Sequence, residues 1–189
     1  MKKRDIITIT LSLLLIASAI FAIYQINKVY KIRFEWYSPV KHCFVQDKRI
    51  VNKSGKSITA FRDSMSFNVF STRKEFDALP EKLNYVKDII SLEDIEHNIF
   101  ICGYLGKYKS AEYDIRILEI SQRQNKVEIF VNVSGPYVEN EKNYEDYKEY
   151  EYKDIIKISK SAFYLYKNLV LVFKNRDGVE LYRQKYFIP

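Results

Sequence analysis

Between Ile6 and Tyr24 the chain runs for nineteen residues without a charge, IITITLSLLLIASAIFAIY, interrupted only by Thr8, Thr10, Ser12 and Ser18. A helix rises 1.5 Å per residue, so this run reaches about 28 Å, near the thickness of a bilayer's hydrocarbon core. Small hydroxyl side chains return a hydrogen bond to the helix backbone and are tolerated there. The run predicts a transmembrane signal anchor over residues 6–24, with a cytoplasmic tail at 1–5, a juxtamembrane connector at 25–43 and one folded domain at 44–189.

A removed secretory peptide is the competing reading, because MKKRD is a basic leader and Ala17-Ser18-Ala19 resembles a cleavage site. The apolar run continues past that site through Ile20, Phe21, Ala22 and Ile23. It then gives way to Lys28, Tyr30, Lys31, Arg33 and Trp36, residues suited to a membrane interface. An uncleaved anchor fits both features better. The basic cluster ahead of the first apolar segment predicts an inside N-terminus, hence an extracytoplasmic domain held at the cell membrane.

The net charge of +7 first suggests a nucleic-acid footprint, but its distribution points elsewhere. Residues 1–33 carry six basic side chains against Asp5 alone, which leaves the other 156 residues a net of +2. Basic residues that flank a span gain from anionic lipid. The partner they imply is the membrane, and no nucleic acid is expected.

The chain is rich in strand formers, with 16 Tyr and 12 Phe. In Lys126–Gly135, Val127, Ile129, Val131 and Val133 alternate with Glu128, Phe130 and Asn132. Tyr113–Ile120 alternates before it, and the two read as an antiparallel hairpin. Leu169–Phe173 and Val179–Tyr186 flank Asn175-Arg176-Asp177-Gly178, a second hairpin signal. Phe44–Val51, Ser66–Phe70, Ile99–Tyr104 and Ile155–Ser159 are further strands. Thr72-Arg73-Lys74-Glu75 is a capping box ahead of Phe76, Leu79 and Leu83, with Pro80 splitting the helix in two. The expected fold is mainly β (α+β): an antiparallel β-sandwich or barrel-like domain with a short helical insert.

From Ser66 to Phe163 the order of elements resembles the C-terminal domain of PrcB-like proteins, named for a subunit of a bacterial protease complex. There a short helix precedes a buried strand, and a loop near G-x-K-P-T-G-G-Y opens the next strand. The matching parts are Arg73–Leu83, Ile99–Tyr104, and the loop Gly106-Lys107-Tyr108-Lys109-Ser110-Ala111-Glu112-Tyr113. Asp114-Ile115-Arg116-Ile117 continues the match. Tyr108, Lys109 and Glu112 depart from the pattern. The resemblance implies a surface-held β domain that partners another surface or secreted protein and has no known catalytic centre.

Catalytic patterns are missing. His42 and His97 are the only histidines, and no phosphate-loop, nucleophile-elbow or zinc-protease string occurs. Cys43 and Cys102 have no metal or redox spacing and are read as separate thiols. A protein-interaction domain is therefore expected rather than an enzyme, with no cofactor, metal or small-molecule substrate. A hydrolase with a site built from residues distant in sequence is the alternative. Two segments are candidates for partner contact. Tyr137–Tyr152 holds six acids against Lys142 and Lys148, interleaved with five tyrosines. The Gly106–Tyr113 loop is preferred, with Lys107, Tyr108, Lys109 and Tyr113 as its contacts.

Overall fold

A computed structural model of the chain describes residues 3–37, 65–108, 114–134, 150–163 and 166–189. It opens with helix α1 (Lys3–Asn27), then β1 (Tyr30–Lys31), β2 (Glu35–Trp36) and β3 (Ser66–Phe70). Three short helices follow: α2 (Arg73–Asp77), α3 (Asn84–Ile89) and α4 (Leu92–His97). The remaining strands are β4 (Asn98–Tyr108), β5 (Asp114–Arg123), β6 (Lys126–Ser134), β7 (Tyr150–Ser159), β8 (Asn168–Lys174) and β9 (Glu180–Phe187). The expected strand Phe44–Val51 and Cys43 lie outside the described residues.

The strands form two sheets, ordered β1-β5-β6-β8-β9 and β2-β7-β4-β3. Their inward faces meet in one core, where Val127, Ile129, Val131 and Val133 of β6 are all buried, as the alternation requires. In β5 an extra residue, Leu118, shifts the register between Ile117 and Glu119. That bulge returns Ile120 to the core, which strict alternation after Ile117 would have turned outward.

The pairing is mainly antiparallel, and one pair departs from it: β6 and β8 run in parallel, Lys126 beside Val170 through Phe130 beside Lys174. Between them the chain crosses to the second sheet as β7. It therefore re-enters the first sheet at the end where β6 began.

A second core lies on the outer face of the β3-β4-β7 region, where Phe70, Phe100, Cys102, Tyr104 and Ile155 meet the helical layer through Phe76, Leu83, Val86 and Ile95. Covered on both faces, β4 reads as a continuous apolar run from Ile99 to Leu105. The capping box at Thr72 forms with both of its bonds, and Pro80 separates α2 from a short 3-10 turn and α3. Leu92–His97 forms α4, because the Ser91 hydroxyl accepts the Asp94 N–H and caps it.

The segment read as a connector is partly built into the sheets. Tyr30 and Lys31 pair with Gln122 and Ser121, while Glu35 and Trp36 pair with Lys157 and Ile156. Ile32 between them donates its N–H to the Ile120 carbonyl at 2.9 Å and buries its side chain in the core. Tyr30–Tyr37 is thus a strap across the side where β5 and β7 approach. On that side the Ile117 N–H donates to the Asp154 carboxylate at 2.6 Å, and the Trp36 indole N–H donates to the Ile117 carbonyl at 3.3 Å. On the other side Phe67 of β3 stacks on Phe173 of β8, ring centroids 4.2 Å apart.

Only Lys28 and Val29 separate α1 from β1. Leu11, Leu15, Ile20, Phe21 and Tyr24 of α1 are each more than half exposed. Among the described residues no helix is long and apolar enough to cross a membrane.

Asp154 is 4% exposed and accepts a backbone bond from the opposite sheet, so truncating it leaves a buried N–H without its acceptor. Asp154→Ala is expected to lower stability by about 2–3 kcal/mol, with Asp154→Asn losing less. Chemical denaturation of the full chain checks this: the midpoint falls while the slope is unchanged.

Candidate functional site

The register of β4 on β7 decides how the two candidate segments sit. Lys107 stands opposite Glu151, and Tyr108 opposite Tyr150. In the neighbouring sheet, Asp114, the first residue of β5, stands opposite Ser134, the last of β6. The last residues of β4 and β6 and the first residues of β5 and β7 therefore lie at the same end of the sandwich. Lys107 and Tyr108 are the last two residues of β4. Lys109, Tyr113 and the acidic residues from Glu139 to Glu149 lie outside the described residues.

A bulge precedes this end. Leu105 is an extra residue between the pairs Tyr104–Lys153 and Gly106–Tyr152, and Gly106 takes a φ of 125°. That backbone conformation is open to glycine and strained for other residues, so Gly106 is fixed by the turn of the strand as it nears the loop. The helix enters at the opposite end, where Tyr30 pairs with Gln122 and the Arg123 guanidinium donates to Asn27 Oδ1.

Searches against protein-family models, curated proteins and solved structures return no match to this chain. The resemblance to PrcB-like domains rests on the residues quoted for it. The site must then be judged on its own chemistry.

Of the groups considered for catalysis, His42 and Cys43 lie outside the described residues, and His97 is exposed at the end of α4. Cys102 is fully buried, and that burial, with Asp154 nearby, pushes its thiol far above the ordinary range. A thiol held protonated is a poor nucleophile and a poor metal ligand. Among the described residues no three His, Cys, Asp or Glu side chains converge to hold a metal ion.

One polar cluster was not legible in the sequence. The Tyr186 hydroxyl lies 2.7 Å from Ser71 Oγ and donates to Glu75 Oε2 at 2.9 Å. The same carboxylate oxygen accepts the Ser71 and Thr72 N–H groups at 2.8 and 3.2 Å. Its acceptor capacity is spent on the start of α2, and Ser71 is 2% exposed. The arrangement ties β9 of one sheet to the helical layer of the other. The capping box announced Glu75, but nothing in the sequence pointed to a tyrosine more than a hundred residues away.

Burial raises the Tyr186 phenol above its ordinary value of 10.0, the Ser71 bond opposes this, and the Glu75 charge adds to it. The folded chain thus keeps a proton that the unfolded chain releases, so stability is present below about pH 10 and falls above it. Tyr186→Phe is expected to cost roughly 1–2 kcal/mol at neutral pH and to weaken that alkaline loss. Denaturation midpoints at pH 7 and in the alkaline range check both. A second measurement addresses Cys102: in a Cys43→Ser chain, alkylation at pH 8 should run on the order of a thousandfold slower than in denaturant. Labelling at equal rates would show that the thiol is accessible.

Proposed function

We propose that this chain is a single-span membrane protein whose β domain faces the extracytoplasmic side and holds another surface or secreted protein at the end away from the helix. The observation that carries this is the axial arrangement. All nineteen uncharged residues from Ile6 to Tyr24 fall within α1, whose described apolar side chains are exposed. A helix apolar on every side needs an apolar surrounding. It joins the domain at one end of the sandwich, and both contact segments leave from the other.

Lys107, Tyr108, Lys109 and Tyr113 are the proposed contacts, facing an acidic partner surface. Tyrosine supplies rigid contact area with a polar tip, and lysines steer an acidic partner. Lys107 and Glu151 share a register position, so the last residues of β4 run beside the first residues of β7. The reading includes no catalysis: Cys102 is buried and protonated, and Glu75 is committed to backbone donors. The interaction-domain resemblance to PrcB-like proteins agrees with it.

Two experiments test the proposal. Full-length chain should remain with membranes through an alkaline wash, with protease reaching Lys142 from outside intact cells; recovery in the soluble fraction would remove the anchor. A Lys107→Glu, Lys109→Glu chain should lose capture of its native partner, and wild-type capture should weaken as salt rises. If that variant still captures while neutralising Glu145, Asp146 and Glu149 abolishes capture, the acidic stretch is the contact and the loop is not.

A further inference from the structure

The end of the sandwich from which α1 leaves is ringed by shallow recesses that combine cations with exposed apolar tips. One, of about 480 Å³, lies beside the β5–β6 turn between Val29, Arg123, Asn125 and Lys126. A second, of about 440 Å³, is bordered by Asn125, Asn168, Lys185 and Phe187. The third, of about 310 Å³, is set between Lys160, Tyr166, Lys167 and Pro189. Val29 and Phe187 are more than half exposed, and Tyr30 and Tyr166 more than a third.

Among the described residues Lys160, Lys167 and Lys185 have no ion-pair partner, whereas Lys31, next to Tyr30, and Lys157 and Lys174 further along the sheets are each paired with an acid. Arg123 donates to the carboxamide of Asn27, and Lys28 sits over the Tyr30 ring. Lys126 is the exception, bonded to Glu128 at 2.7 Å. Acids do occur toward this end: Glu128 borders the first recess and is held by Lys126 and Lys174, while Glu93 and Glu96 stand on α4, in the helical layer on the far side of the second sheet.

We infer that this end is a lipid-facing surface: Lys160, Lys167, Lys185 and Arg123 contact anionic headgroups while Val29, Tyr166 and Phe187 enter the interfacial layer. The inference rests on the anchor reading above and deepens it. Two residues between α1 and β1 leave no room for the domain to stand off from the bilayer. The surface that meets the headgroups is then the one surrounding Val29. Unpaired cations beside aromatic tips suit that layer, since a lysine near an anionic surface strengthens association about fivefold and aromatic rings settle at headgroup level. The β5–β6 turn reaches this end through Gln124, whose φ of 54° is held without a glycine.

The test uses the full chain in nanodiscs of phosphatidylcholine alone or with about one third phosphatidylglycerol, read by amide hydrogen exchange; retention by the disc after an alkaline wash reports separately on the helix. Exchange at residues 123–126 and 166–168 is expected to slow on the order of tenfold or more in the anionic discs. High salt should reverse the slowing. A Lys160→Glu, Lys167→Glu, Lys185→Glu chain should lose it while its disc retention and the exchange of β4 stay unchanged. Retention with equal exchange in both lipids would overturn the headgroup contact and leave the anchor standing. Failure of retention would overturn both, because only the helix brings this end to the bilayer.

Discussion

Two sheets placed face to face leave edges whose backbone groups need partners, and on one side of this molecule a single short segment serves both edges. Tyr30–Tyr37 pairs first with β5 and then with β7, so the same strap closes each sheet. Between its two pairings, Ile32 bonds Ile120 and fills the core below it. Ile117, on the same free edge of β5, has its N–H taken by Asp154 and its carbonyl by Trp36. An edge strand left open is a template for unwanted pairing, and a buried N–H left unpaired costs a large share of a domain's net stability. Without the strap, β5 and β7 would have neither their outer partners nor the side chain that plugs the gap between them.

The two faces of the molecule follow from what lies outside each sheet. The second sheet is covered by α2, α3 and α4, so β4 carries apolar residues on both faces and Gly103 leaves space for Phe67 and Ile115. The first sheet carries charge outside, where Glu128 bonds Lys126 and Lys174 at 2.7 and 2.6 Å. Those two hydrogen bonds, Lys126 first, hold the Glu128 carboxyl below its usual range. Being partly exposed, the trio is better understood as a solvated cover than as a large source of stability.

Period-two alternation and turn chemistry made much of this architecture legible. The β5–β6 and β8–β9 hairpins, β3 and the capped helix are where the residue patterns place them, and Gly178 takes the positive φ its Asp-Gly turn requires, at 80°. Three features were hidden for separate reasons. The strap is too short and too charged to show a strand period, and its partners lie far along the chain. The parallel pairing of β6 and β8 depends on which sheet receives β7, a tertiary choice with no local mark. The Tyr186–Ser71–Glu75 cluster joins residues that no spacing rule relates. For the candidate site, the residue patterns named the segments but not their relation, because it takes the β4–β7 and β5–β6 registers to bring the strand ends that flank them to one end.

The strap also sets an order of events during synthesis. Tyr30 finds its partner at Gln122 and Trp36 at Ile156, so neither pairing can form until most of the chain has been made. Contacts this distant in sequence are slow to close, because the loop between them must be ordered first. The apolar helix is finished at Asn27, long before β7 exists. Of the two, the helix is therefore ready to find its surroundings first, and the sandwich can shut only around a chain whose beginning has already been committed.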